Sequence, residues 1–520
     1  MEPNNLFRAF ARSVLRAGRA EAIRFQQRRW SYDQLSAAAQ AAALRMHSSG
    51  VLPGDRVAFV GLNSDAYVIG FLATQLLGAV HVPLNFRLQP AEILYILEHC
   101  TPRILFSDDF CQAKAESAWN NCSTKPQLRP ILELVQAADS QPRVDSGIHQ
   151  DVSTPAQLAY TSGTESKPKG AVLSDNGLLF EYLSCISAGD YAASDVTVHA
   201  MPLYHCAQMH CFMLPGLLLG TRNIVLEGAE PERIMEVIEE NAANAFFAPP
   251  TVWIGILNHP RFAAERLRSL VKGYYGASIM PVEVLQRTQQ ALPWLQLWNY
   301  YGQTEIGPLA SVLRPEESSL RPASAGRPVL FVETRVVDDN MRAVPPGMVG
   351  EIIHRSPQLL LEYYRDPLRT AEAFQDGWFR SGDLGVVDEE GFLTVIDRKK
   401  DMIKTGGENV ASREVEEVIY QHAAVAEVAV VGLPDEKWVE RVVAFVVLKH
   451  GYEVTAADII AQTEILAGFK RPKQVVFVGE LPKNPSGKVM KRELRSKAAE
   501  CDTPSPSNPP ETGIVKQDMN

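Results

Sequence analysis

The sequence has little of what marks secreted, membrane-spanning or nucleic-acid-binding chains. Its 520 residues hold seven cysteines, Cys100, Cys111, Cys122, Cys185, Cys206, Cys211 and Cys501. So sparse and odd a set excludes a disulfide framework and suits reduced thiols in a cytoplasmic protein. The most apolar stretches, Phe71 to Val82 and Phe212 to Gly220, are too short or too interrupted to span a bilayer. Met1 to Asn5 lacks a positive flank followed by an apolar core, so no secretory signal is read there. Basic charge is not in excess: 51 Lys and Arg against 61 Asp and Glu leave a formal net charge of -10. That balance argues against a general nucleic-acid binder, and any polyanionic ligand must be met by local cations.

What is present is an ordinary globular composition, 46% hydrophobic and 22% charged, in a chain too long for one core. Strand-like runs such as Arg56 to Val60 alternate with helix-like ones such as Ala66 to Gly78, the pattern of βα units with largely parallel sheets. Glu351 to Arg365 and Gly391 to Ile396 read as β-rich and close a large domain. Beyond them, a helix-like stretch from Ser412 to His422 and strands at Val425 to Val431 and Val442 to Leu448 predict a compact α+β unit. The boundary is expected near Lys400. Past Lys497, the run Thr503-Pro504-Ser505-Pro506-Ser507-Asn508-Pro509-Pro510 cannot build a core and is expected to be a disordered tail over residues 498–520.

The segment Thr161-Ser162-Gly163-Thr164-Glu165-Ser166-Lys167-Pro168-Lys169-Gly170 follows the apolar run Gln157 to Tyr160. It gathers hydroxyls, a flexible glycine and lysines, which are the donors, close approach and charge that a polyphosphate needs. Pro168 stands where a Walker loop would need its second glycine, so this is another kind of nucleotide loop. Alone it would read as a solvated turn. It is accompanied, in order, by Tyr301-Gly302-Gln303-Thr304-Glu305, Ser381-Gly382-Asp383, Asp397-Arg398-Lys399-Lys400-Asp401, Lys404-Thr405-Gly406-Gly407 and Pro485-Ser486-Gly487-Lys488. From about Trp30 to Leu494 this set resembles the adenylate-forming superfamily of acyl-CoA synthetases, peptide-synthetase adenylation domains and luciferases, closest to the fatty-acyl-CoA synthetase branch.

The resemblance implies an α/β fold. Residues 1–397 would form a large domain of stacked α/β subdomains plus a β-rich subdomain, joined by a hinge at 398–400 with Lys400 as its pivot to a small mobile α+β domain, 401–497. It implies ATP, Mg²⁺ and CoA as ligands. Thr161, Ser162, Gly163, Thr164 and Lys169 would hold the β- and γ-phosphates, although Glu165-Ser166 replaces the usual Thr-Gly. Glu305, with Thr164, would hold Mg²⁺, since a hard cation prefers oxygen ligands. Tyr301 and Gly302 on one side and Gly276-Ala277-Ser278 on the other would enclose adenine next to Thr304. Asp383 would accept the ribose hydroxyls with help from Arg398.

Lys488 is the expected catalytic residue, a long cation that stabilises charge as the acyl-adenylate forms. The small domain would then rotate, withdraw Lys488 and bring Lys404, Gly406 and Gly407 toward the pantetheine tunnel. His205 would border the acyl pocket and gate access to the adenylate, with Met209, Trp253 and Gln303 lining the cavity. For Trp253, core packing explains the residue equally well, and Tyr274 and Tyr300 read as core aromatics. The pairs His205-Cys206 and His210-Cys211 invite a zinc reading but lack the spacing of a finger or ribbon. Asp175 and Glu362 depart from the family's usual His and Gly.

The function expected is ATP-dependent ligation of a fatty or other bulky hydrophobic acid to CoA. A homodimer is compatible with the resemblance, and no nucleic-acid partner is expected. The rivals are transfer of the acyl group to a carrier protein or separate enzyme, and a non-catalytic binding protein that keeps the fold. Retention of Glu305, Asp383 and Lys488 together opposes the latter.

Overall fold

The strands Arg56–Val60 and Val80–Leu84 are short apolar runs buried on both faces, and they pair in parallel. Between them the helix Asp65–Leu76 is buried on every side, which its largely apolar sequence permits. Its first turn is capped by the Ser64 side chain, which accepts from the Tyr67 amide. Its one carboxylate, Asp65, is held by Arg28 and by the Trp30 indole N–H at 2.7 Å. The computed structural model describes residues 6–136, 154–161, 168–278, 280–484 and 487–502.

Two large sheets carry the N-terminal body. A seven-stranded sheet runs from Glu362–Tyr363 through Lys169–Ser174 and Pro155–Thr161 to Gln127–Pro130. A nine-stranded sheet runs from Arg327–Pro328 through Leu309–Leu313, Gln296–Gly302 and Lys272–Gly276 to Arg28–Ser31. One apolar cluster joins them, with Phe59 and Ile104 from the first sheet, Ile23 and Val225 from the second, and the helices Tyr32–Ser48 and Asp65–Leu76 between. A five-stranded antiparallel sheet built on Gly350–Arg355, Trp378–Val387 and Leu393–Arg398 completes this body.

After Arg398 a turn leads into a second five-stranded sheet, in which Val425–Asp435 and Val439–Leu448 form a long hairpin covered by the helix Ser412–Tyr420. This is the mixed α/β architecture expected, a large N-terminal part and a smaller C-terminal one. Three expectations need correction. Glu362–Tyr363 does not extend the β-rich sheet but joins the seven-stranded one, pairing with Ala171 and Val172. Arg398, placed in the hinge, is the last residue of the strand Leu393–Arg398 and sits opposite Asp383. The tail expected from residue 498 does not begin there, because residues 498–502 belong to the helix Lys491–Asp502, and residues 503–520 lie outside the described residues.

None of the described helices is long and apolar enough to cross a membrane. Six of the cysteines are buried and unbridged.

Candidate active site

The parallel strands Lys272–Gly276 and Gln296–Gly302 end side by side, with Gly276 opposite Tyr300. The crevice beyond such carboxyl ends is where open α/β sheets take ligands. Close approach is enforced here by missing side chains: a Cβ on Gly276 would lie 2.4 Å from the Tyr300 carbonyl oxygen, and one on Gly302 would lie 1.9 Å from that of Pro308. Ala277 holds a left-handed φ of 63° and its side chain is exposed, a strained placement for a residue with a Cβ. Ser278 follows it, half-buried.

Tyr301 leaves this edge and donates its hydroxyl proton to Asp383 at 2.8 Å. Arg398 meets the other oxygen of Asp383 at 3.3 Å. The buried Asp383 is thus oriented from two directions, a carboxylate set to accept from neighbouring hydroxyls.

Lys488 approaches this group from the small domain. Burial, then the charge of Arg398, lowers its ammonium pKa to about 8, while Asp383 acts in the opposite sense. The loop that carries it is docked on the large domain. Gly487, with φ of 81°, places its carbonyl 3.4 Å from the Thr251 hydroxyl, and a Cβ there would lie 2.6 Å from that oxygen. A second clasp forms where the Ser412 amide and hydroxyl donate to Asp397 at 2.8 and 2.6 Å. Lys400 lies in the exposed turn between the two parts, within electrostatic reach of Arg398, Asp401, Asp383 and Lys169.

His205 is half-buried and stands at the entry to the π-helical turn Ala207–Met213, a distortion frequent at functional sites. Burial, and then the nearby charge of Lys488, lowers its pKa to about 4, so the ring is neutral at physiological pH. Cys206 beside it donates to the Thr304 hydroxyl at 3.0 Å. Gln303 points a buried side-chain nitrogen at no hydrogen-bond acceptor among the described residues.

Glu305 is buried, and its Oε1 accepts from the Tyr363 hydroxyl at 2.9 Å. Among the described residues no other donor reaches that carboxylate, so an oxygen remains for a hard cation, and Glu305 fits Mg²⁺. Lys169 lies 3.5 Å from the same hydroxyl. Thr161 ends the strand Pro155–Thr161 opposite Lys169, while Ser162, Gly163, Thr164 and the Glu165-Ser166 departure lie outside the described residues.

The structure therefore brings together Lys488, His205, Asp383, Arg398, Tyr301, Glu305 and Lys169. It does not bring Lys404, Gly406 or Gly407 to them. These form a tight hairpin turn in the small domain, where the Lys404 amide donates to Glu440 at 2.7 Å and the Gly406 amide to the Trp438 carbonyl at 2.8 Å.

Trp253 and Met209 are core residues. The Trp253 indole is fully enclosed and bonds the Tyr274 carbonyl at 3.3 Å, and Met209 is 1% exposed in the cluster that joins the two sheets. Tyr274 and Tyr300 are core aromatics, as expected. Among the described residues neither His205 nor His210 joins a metal-ligand cluster, and His210 is held by Tyr182 and Gln157. Cys211 instead joins Cys185 and Glu181, whose ligand atoms lie within 4.8 Å of one another but are already hydrogen-bonded together. Asp175 accepts from the Leu6 amide at 3.1 Å, anchoring the first helix. Tyr363 is the site residue that sequence reasoning missed, since nothing in the sequence shows that its hydroxyl reaches Glu305, 58 residues away.

The AMP-binding enzyme family model matches residues 10–364, and the AMP-binding enzyme C-terminal domain model matches 414–488. The chain belongs to the AMP-binding enzyme family. It is similar to a feruloyl-CoA synthase of Amycolatopsis sp, at 34% identity over 92% of this chain and 95% of that one. It is also similar to a fatty acid–[acyl-carrier-protein] ligase of Streptomyces coeruleorubidus, at 32% identity over 92% and 93%. Among solved structures, an anthranilate CoA ligase in complex with anthranoyl-AMP superposes with a TM-score of 0.89 at 26% identity, covering 95% of this chain and 97% of that one. The family places this protein among the ATP-dependent, AMP-forming acid:CoA ligases.

Proposed function

We propose that this ligase activates a hydrophobic carboxylic acid, fatty or aromatic, and passes it to CoA in two half-reactions served in turn by one mobile small domain. The observation that carries the reading is the convergence of Lys488, Asp383, Arg398 and the neutral His205 at one strand-end crevice. In the first half-reaction a carboxylate oxygen attacks the α-phosphorus of ATP as the bond to pyrophosphate breaks. Asp383 and Tyr301 orient the nucleoside, Lys169 meets the phosphates, and Lys488 faces the charge that concentrates where the two anions meet. Mg²⁺, held by Glu305, would neutralise the phosphates. In the second half-reaction the CoA sulfur bonds to the acyl carbon and AMP leaves, with Lys488 withdrawn by rotation about the turn at Lys400.

An apolar acid is favoured because relatives 30–34% identical to this chain are, by name, ligases of feruloyl, indoleacetate and medium-chain fatty acids. CoA is favoured over a carrier protein by the surroundings of the Gly406-Gly407 turn. A Cβ on Gly406 would lie 2.9 Å from the Trp438 ring, and Lys437 and Lys473 place their ammonium groups 5.0 and 5.8 Å from that ring's centre. An aromatic face flanked by cations suits a nucleotide, which CoA carries and a carrier-protein arm lacks.

The test is a panel of fatty, aryl and dicarboxylic acids scored by pyrophosphate release with CoA, with pantetheine and with neither. Fatty or aryl acids should release pyrophosphate, and CoA should be turned over at far lower concentration than pantetheine. Preference for dicarboxylates would contradict the acid class, and equal use of CoA and pantetheine would contradict the acceptor.

A further inference from the structure

Tyr363 joins parts of the site that lie far apart in the chain. Its short strand is held at both ends against the strand Lys169–Ser174, because the Leu361 amide donates to the Val172 carbonyl and the Tyr364 amide to the Gly170 carbonyl, each at 2.8 Å. The same segment fixes the backbone of the acidic residue, since the Leu360 amide donates to the Glu305 carbonyl at 2.8 Å. From this clamped position the Tyr363 ring, 4% exposed, donates its hydroxyl proton to Glu305 Oε1 at 2.9 Å. Lys169 stands 3.5 Å from the hydroxyl oxygen, its ammonium 4.6 Å from the ring centre. A cation, a phenol and a carboxylate thus form a polarised chain, in which each contact strengthens the next.

We propose that Tyr363 is a positioning residue: its hydroxyl fixes the Glu305 carboxylate for the metal of Mg²⁺·ATP, and its ring parks Lys169 until the phosphates take the ammonium. This rests on the reading of Glu305 and Lys169 as metal and phosphate ligands. Two effects of removing the hydroxyl oppose each other. The carboxylate gains free charge, which favours a cation, but loses the partner that sets its direction. Orientation prevails at such carboxylates, where loss of an outer partner typically lowers metal affinity about 10- to 100-fold.

The experiment is calorimetric ATP binding over a series of Mg²⁺ concentrations with no acid present, so that nothing turns over. It compares the unmodified protein with Tyr363→Phe, Glu305→Gln and the double variant. Tyr363→Phe should raise the Mg²⁺ concentration for half-maximal ATP affinity by about 10-fold while leaving AMP binding intact. The double variant should match Glu305→Gln alone, because the hydroxyl acts through that carboxylate. An unmoved titration for Tyr363→Phe with a displaced one for Glu305→Gln would overturn the role of Tyr363. An additive double variant would overturn its action through Glu305, and loss of AMP binding in Tyr363→Phe would show that the hydroxyl holds the fold instead. An unmoved titration for Glu305→Gln would overturn the metal reading itself, whatever Tyr363 does.

Discussion

Single residues carry titrations that the motifs alone do not announce. Lys488 is expected to be charged when carboxylate meets phosphate, yet its pKa in this pose is lowered to about 8 by burial and by Arg398. Raising the pH through that value removes the charge. The kcat/KM for ATP in pyrophosphate exchange, which reports the free enzyme, should therefore fall above about pH 8. In Lys488→Arg that falling limb should move to higher pH, because guanidinium stays protonated. An unchanged limb would mean that another group titrates. Glu181 is the opposite case, its carboxyl pushed up to about 8 by burial within the core. Between the unfolded value near about 4.5 and 8 the folded state keeps a proton that the unfolded state has lost, so stability falls as pH rises through that window. Glu181→Gln should flatten the fall in melting temperature between about pH 4.5 and 8, and parallel curves for the two proteins would contradict this. Neither Glu181 nor Tyr363 was legible in the sequence as more than an ordinary residue. Glu181 accepts from Leu309 and Tyr363 donates to Glu305, and pairs so far apart leave no local pattern.

At the scale of elements, the alternating strands and helices were legible because their apolar periods are local. The helix Ser412–Tyr420 and the hairpin Val425–Asp435 with Val439–Leu448 form close to where the pattern puts them. What was not legible is which sheet receives a two-residue edge strand, since Glu362–Tyr363 has no period to read and is captured by backbone pairing with Ala171 and Val172. The residues proposed to meet phosphate, metal and ribose were legible as motifs, whereas the contacts that orient them were not. The contact between Ser412 and Asp397 is of this kind, joining a small-domain helix to the last strand of the large body. If the small domain turns about Lys400, these partners separate. Ser412→Ala removes the hydroxyl bond to a charged acceptor, worth about 1.5–3 kcal/mol, from the present pose only. Adenylation should slow about 10-fold or more while thioester formation from supplied acyl-adenylate stays unchanged. Equal slowing of both would mean that the contact persists in both poses.

At the scale of the whole molecule, the structure holds its two parts with Lys488 turned into the strand-end crevice and the Gly406-Gly407 turn directed to the small domain's own Trp438. Under the proposed function this is the arrangement that the first half-reaction needs, and the second needs another. The account therefore makes Lys488 necessary for one chemical step and dispensable for the next. The most direct measurement is the rate of each half-reaction in Lys488→Ala, with pyrophosphate exchange for the first and CoA thioester formation from presented acyl-adenylate for the second. Exchange should fall about 10²- to 10³-fold, the usual cost of a lost preorganised donor, while thioester formation stays close to that of the unmodified protein. Equal loss in both, in a protein that folds and binds AMP normally, would contradict the division of labour between the two poses.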